Sequence, residues 1–280
     1  MKLIFPVLII TIGFLLYPLI NGIVLSFYDA RLGTTAMRFV GLANYYQLST
    51  QTTFIAALRN SFAWVVLVVG TSFAIAFSVA LLLARNFPGR GICRGLVVVP
   101  WVVPNVVAAL SWRWIFEEKY GILNYILASL GLISRPINWL GDPFWAFIAA
   151  IIVGIWKATP VMTVILLAGL QSLSRELFEA ASIDGANALQ KFWYITLPQM
   201  RSTILILITL ETIWNFNTFD IIWVLTRGGP ANTTHVLATL TYQQAFQLFN
   251  LGSAASIGVV MFVILLLMTF VYFKLLKREV

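Results

Sequence analysis

The chain has 280 residues, 60% of them hydrophobic and 10% charged, with a formal net charge of +8 and a mean hydropathy of +0.92. A soluble domain builds its polar shell from about 25% charged residues, so this composition excludes one and assigns most of the outer surface to lipid. The basic residues are scattered between apolar runs instead of forming a stripe. That excludes a nucleic-acid partner and leaves orientation by the positive-inside rule, with attraction to anionic lipid, as their use. One cysteine, Cys93, and one histidine, His235, exclude an internal disulfide and a Cys- or His-rich metal centre. Both read as packing or loop positions, and neither a catalytic residue nor a metal site is expected.

A helix of about 20 apolar residues crosses the roughly 30 Å hydrocarbon layer. Six such segments are predicted in chain order, at 3–28, 60–84, 95–116, 143–172, 200–225 and 250–273, with short polar connections between them. The first is too long for a signal-peptide core, contains Pro6 and Pro18, and has no clear small-residue cleavage site after it, so it reads as an uncleaved anchor. The third is interrupted by Pro100 and Pro104, the fourth carries Lys157, and the fifth carries Glu211 and Asp220. Six spans put both termini on one side. Lys2, Arg85, Arg90, Arg94, the stretch from Arg175 to Arg201 and the tail Lys274, Lys277 and Arg278 gather there, close to helix ends, which predicts that this side is cytoplasmic.

The connection 174–198 between the fourth and fifth spans is too long and too helical in pattern for a bland loop. Ser174 suits a helix N-cap, Glu176 and Glu179 suit the early turns, and Ala180 and Ala181 leave a smooth face. Gly185 offers the left-handed turn that ends a helix, 186–195 reads as a second short helix, and Pro198 suits the first turn of the next span. Two short helices along the membrane face make a docking handle for a soluble partner.

The run Glu179-Ala180-Ala181, Asp184-Gly185-Ala186, Phe192, Ile195 and Leu197-Pro198 resembles the EAA signature of binding-protein-dependent ABC importer permeases. Phe39 to Tyr45, Val99-Pro100, Val103-Pro104, Trp112, Phe219-Asp220 and Thr226-Arg227-Gly228-Gly229-Pro230 resemble the maltose-transporter type of sugar permease over nearly the whole chain. One departure is that the family usually has a third glycine where Arg227 stands, which predicts a stiffer loop. The resemblance implies an all-α integral membrane protein with the MetI-like fold of type I ABC importer permeases: a single domain over 1–280, six transmembrane helices and a cytoplasmic coupling helix. It implies that Glu179, Ala180, Ala181, Asp184, Gly185, Ala186, Leu197 and Pro198 couple the chain to an ATPase. The implied partners are a second related permease in a heterodimer, two copies of a cytoplasmic ABC ATPase, an extracytoplasmic sugar-binding protein and membrane lipid. The implied location is a bacterial or archaeal inner membrane.

Ionisable groups inside spans are costly and are functional candidates by default. Glu211 and Asp220 lie nine residues apart, which is about 13 Å along a helix and on opposite faces. They cannot share one pocket unless the span breaks between them. Around them, aromatic rings to stack on sugar C–H faces and amides to meet hydroxyls single out Trp214, Asn215 and Asn217 as pathway residues, with Asn105, Trp156 and Lys157 behind them. Interhelical hydrogen bonding is the competing use of these polar groups. The chain has no phosphate-binding Gly-x-x-x-x-Gly-Lys-[Ser/Thr] run, so ATP and Mg are expected on a partner and no cofactor on this chain. The expected function is the permease subunit of an ATP-driven carbohydrate importer, with a glycerol phosphodiester cargo or an ion-coupled secondary transporter as the alternatives.

Overall fold

The computed structural model describes residues 11–34 and 37–277; the start of the first predicted span, with Lys2 and Pro6, and Arg278 in the tail lie outside them. Helix α1 (Ile12–Leu25) is followed by a two-residue antiparallel pair, β1 (Tyr28–Asp29) and β2 (Arg38–Phe39), with Tyr28 opposite Phe39. The short α2 (Ala43–Thr50) leads into α3 (Thr52–Ala84). Next come α4 (Arg90–Val102), α5 (Asn105–Ile115), α6 (Ile122–Ser129) and α7 (Pro143–Gln171). The chain finishes with α8 (Arg175–Ile183), α9 (188–216), α10 (Asp220–Thr226), α11 (Leu237–Tyr242) and α12 (Leu251–Lys277).

Among the described residues, α3, α7, α12 and the stretch Ala188–Thr226 are each long and apolar enough to cross a bilayer, and α4 with α5 would make a fifth, bent crossing. The described part of the first predicted span is a shorter apolar helix.

The core lies between α3 and α7, which pack along much of their length. Ala57, Ala76 and Ala80 from one and Ala149, Ala150 and Gly154 from the other are buried, and small side chains let helix backbones approach closely. A Cβ added at Gly154 would stand 2.9 Å from the ring of Trp64, so the indole itself occupies the space that glycine leaves. Helix α7 begins where the sequence stops it from starting earlier. Asp142 accepts hydrogen bonds from the backbone N–H groups of Phe144 and Trp145 at 2.9 and 3.1 Å, and Pro143 needs no donor at the first position.

Three expectations need correction. The connection between the third and fourth spans is not simply a short polar link, because it contains α6. Buried Asn124 pins this segment, donating to the carbonyls of Glu118 and Ile137 at 3.0 and 2.9 Å and accepting from Trp139 Nε1 at 2.9 Å. The third segment breaks at one of its two prolines and not at both: Pro100 stays inside α4, and the chain bends by 96° at Val103 and Pro104. Proline pushes its predecessor out of the helical region, and Val103 sits at φ −66°, ψ 126°. The second short helix predicted at 186–195 is not separate: it runs through a wide turn at Phe192–Thr196 straight into the fifth span.

Candidate functional site

Two places in this frame hold the polar residues singled out by sequence. The first is the turn after α8. Here the N–H of Ala186 bonds to the carbonyl of Ala181 at 2.9 Å and the N–H of Gly185 to that of Ser182 at 3.1 Å. This is a Schellman closure of a helix, and it requires the left-handed conformation that Gly185 adopts at φ +79°. Ala181 and Ala186 are therefore the two ends of the closing bond, which explains small residues at those positions. Asn187 then opens the next helix with a capping box, accepting from Gln190 N at 2.9 Å while its own N–H donates to Gln190 Oε1 at 2.8 Å. Lys191 Nζ donates to Ser182 Oγ across the turn at 2.6 Å.

The result is a rigid corner whose outer face is exposed. Glu179, Ala180 and Asp184 are exposed on it, and Ile183 is 88% exposed beside them. Leu197 and Phe192 instead pack inward, the latter with its ring 5.6 Å from Phe77 of α3, so the corner is anchored to the bundle. Pro198 is exposed and follows the wide turn, where its missing N–H and ring are accommodated.

The second place is a cavity of about 400 Å³ lined by residues of α4, α5, α7, α9 and α10. Asn105, Lys157, Trp214 and Asn215 of the predicted pathway residues all line it, together with Trp101, Glu211 and Thr218. The other two predicted residues lie elsewhere. Trp156, about 100° round the helix from Lys157, packs edge-on against Trp112 and lines a separate apolar cavity with Pro100 and Pro160. Asn217 ends α9 and returns its amide to the carbonyl of Ile213 at 2.9 Å.

Two helix breaks build this cavity. The fifth span is interrupted at 217–219, so the condition under which Glu211 and Asp220 can serve one region is met. Glu211 is buried and accepts from Asn215 Nδ2 at 3.1 Å. Asp220, at the N-terminus of α10, accepts from Asn105 Nδ2 at 3.3 Å at the start of α5, so the two broken spans are tied at their breaks. On the other side, the last turn of α4 has carbonyls with no helical donor. Lys157 Nζ donates to those of Pro100, Trp101 and Val103 at 3.0, 3.3 and 2.6 Å. An ammonium at a helix C-terminus is also favoured by the helix dipole. Neither Lys157's partners nor the facing of Trp101 can be read from linear spacing, because both depend on the direction of the bend.

The loop after α10 carries a third feature. Arg227 takes φ +52°, so the position where the family usually has glycine does impose a left-handed backbone. His235 is fully buried, with Nδ1 on Thr239 Oγ1 at 3.1 Å, and Gly228 lies so close to the imidazole that a Cβ there would overlap it. Asn60 of α3 holds this loop by donating to the carbonyls of Thr233 and His235 at 2.7 and 3.0 Å. Burial pushes the imidazole down to about 4. In the unfolded loop its value returns to about 6.5, so acid protonates the open form first. Stability of this loop is therefore full above about pH 6.5 and falls as pH drops toward 4. Amide protection factors across 226–237, taken relative to the intrinsic exchange rate at each pH, should fall over that window, and a His235→Gln variant should lose the pH dependence.

Apolar helices broken around a polar cavity define a membrane transport subunit. The chain belongs to the family of binding-protein-dependent transport system inner membrane components, whose pattern matches residues 72–280. It is thus the multi-pass permease subunit of an ABC importer. It is 37% identical to the trehalose/maltose transport system permease protein MalF of Thermococcus litoralis, over 97% of this chain and 91% of that one. Its fold matches that of a bacterial ABC transporter involved in the import of the acidic polysaccharide alginate, with a TM-score of 0.87 and 23% identity over 99% of this chain and 94% of that one. A bacterial alginate ABC transporter in complex with alginate pentasaccharide-bound periplasmic protein gives a TM-score of 0.86, again at 23% identity, over 99% and 93% of the two chains.

Proposed function

We propose that this permease carries a carbohydrate into the cytoplasm, receiving it from an extracytoplasmic binding protein and drawing energy from a separate ATPase. The observation that carries the cargo class is the cavity wall. Trp101 and Trp214, 58% and 56% exposed, offer ring faces, and the Asn215–Glu211 pair with Asn105, itself held by Asp220, offers polar groups in fixed positions. Stacking faces with a few oriented polar groups suit a polyhydroxylated ring. Similarity to a trehalose/maltose permease supports the same reading.

In this proposal a second, related permease supplies the facing wall, and two copies of a cytoplasmic ATPase hold ATP and Mg. One of them receives the corner from Glu179 to Ala186. The exposed Ile183 beside Gly185 is apolar surface that such docking would remove from water. Both termini then lie in the cytoplasm. Closing of the ATPase pair would move the corner, and with it the fifth span that runs on from it without a break until 217, shifting the cavity between its two accessible sides.

The test is sugar uptake by proteoliposomes holding the whole assembly, with binding protein outside and ATP inside. Uptake should require ATP and survive collapse of ion gradients. Gradient-dependent uptake that ignores ATP would refute the energy source. Trp214→Ala should raise the apparent KM about tenfold through loss of one stacking face, of the order of 1.4 kcal/mol; an unchanged saccharide profile would remove Trp214 from the pathway.

A further inference from the structure

Anion recognition needs a donor with an N–H to spare, usually an Arg fork or a Lys ammonium. Of the described residues lining the polar cavity, one is cationic, Lys157. An ammonium has three protons to donate, and three backbone carbonyls of the α4 terminus surround this one within 3.3 Å. Turning the ammonium toward a ligand would leave those carbonyls without a donor at the point where the span breaks. The lysine is therefore a structural cation.

The remaining polar side chains of the lining are neutral donors and acceptors, Asn105, Asn215, Thr218 and the two indoles, with one carboxyl group, that of Glu211. The amide of Asn215 already donates to that carboxyl, and that of Asn105 is engaged by Asp220. An anionic ligand placed here would lose its hydration and meet the Glu211 carboxyl without a free cation in return, which is unfavourable. A neutral ring with hydroxyls to donate meets what it needs. The fold itself does not set the charge of the cargo, since a protein of the same fold is involved in the import of an acidic polysaccharide. The side chains of the wall must.

We infer that this chain's wall of the pathway selects uncharged, hydroxyl-rich saccharides and rejects acidic ones, because the cation among its described lining residues is spent on the broken end of α4. The inference rests on the carbohydrate reading above and goes further by fixing the charge class, which also sets aside phosphodiesters.

Binding to the assembled permease and ATPase complex, without the binding protein, isolates the discrimination made by the cavity. Saturation-transfer NMR at millimolar ligand can compare maltotriose and xylotriose with trigalacturonate. At least about a tenfold preference for the better neutral trisaccharide is expected in the wild type. A second variant supplies the missing group: Thr218→Lys puts an unspent ammonium on the wall and should raise trigalacturonate binding about tenfold, toward the neutral level. Trigalacturonate binding the wild type as tightly as the neutral sugars would overturn the inference while leaving the carbohydrate reading intact. If none of the three binds and no saccharide is taken up by the proteoliposomes, the carbohydrate reading falls and the inference with it.

Discussion

Gly185→Val should abolish ATP-driven uptake while the protein still inserts and the helix bundle keeps its stability. The backbone at this residue stands at φ +79°, where a side chain costs about 1–2 kcal/mol and a β-branched one more. Valine therefore drives residue 185 back toward the helical or extended region. Either move breaks the closing bond from Ala186 to Ala181 and turns Ile183, Asp184 and Glu179 away from their present face. The disturbance stays within the exposed corner, since nothing lies within 4 Å of the position a Cβ would take at Gly185. Uptake and copurification of the ATPase subunit are the two measurements, and both should fall together. Glu179→Lys makes the same point through charge: it leaves the helix in place and reverses one exposed group. Normal transport by both variants would rule out this corner as the coupling site.

The second large effect is expected for Lys157→Met. Methionine keeps most of the side-chain volume but donates nothing, so the carbonyls of Pro100, Trp101 and Val103 lose their shared partner. Each carbonyl left unsatisfied away from water costs roughly 1–3 kcal/mol. The end of α4 must then relax, and it carries Trp101 and Val103 of the cavity wall with it. Uptake should drop more than about tenfold at every substrate concentration, because a misplaced wall lowers the turnover as well as the affinity. Lys157→Arg keeps the charge but exchanges a compact ammonium for a planar fork that cannot converge on three carbonyls in one place, so only partial rescue is expected. Wild-type turnover in the methionine variant would show that the break holds without the lysine.

The membrane class, the approximate apolar segments and the corner were legible in the sequence for a common physical reason. Each depends on local chemistry: a run of apolar residues long enough for the bilayer, a glycine where the backbone must turn left, prolines where a helix must stop. Asp142-Pro143 marks the start of α7 and Val103-Pro104 marks a break in the same local terms. Local signals did not give the size of that break. A proline pair is compatible with a gentle kink or with the observed 96° bend, and at that bend a lysine more than 50 residues later caps the freed carbonyls.

The cavity was legible only in part. Trp214, Asn215, Asn105 and Lys157 have the right chemistry and do meet there, but Trp156 and Asn217 have the same chemistry and face other surroundings. Residue type alone does not separate the two groups, because in an apolar bundle a tryptophan or an asparagine can serve packing as readily as a ligand. Glu211 carried the better signal: it is buried and lines the cavity, and burying an ionisable group in a span is costly enough to need a reason.

Composition and local motif thus determined by themselves that this chain lies in a membrane and presents a glycine-closed corner, because both follow from short-range chemistry. The tertiary structure alone decided which face of each span is polar, how sharply the third segment bends, that the fifth breaks, and that Lys157 is occupied. Those outcomes depend on where a carbonyl freed at one break finds a donor on another helix, and no stretch of linear sequence contains that distance.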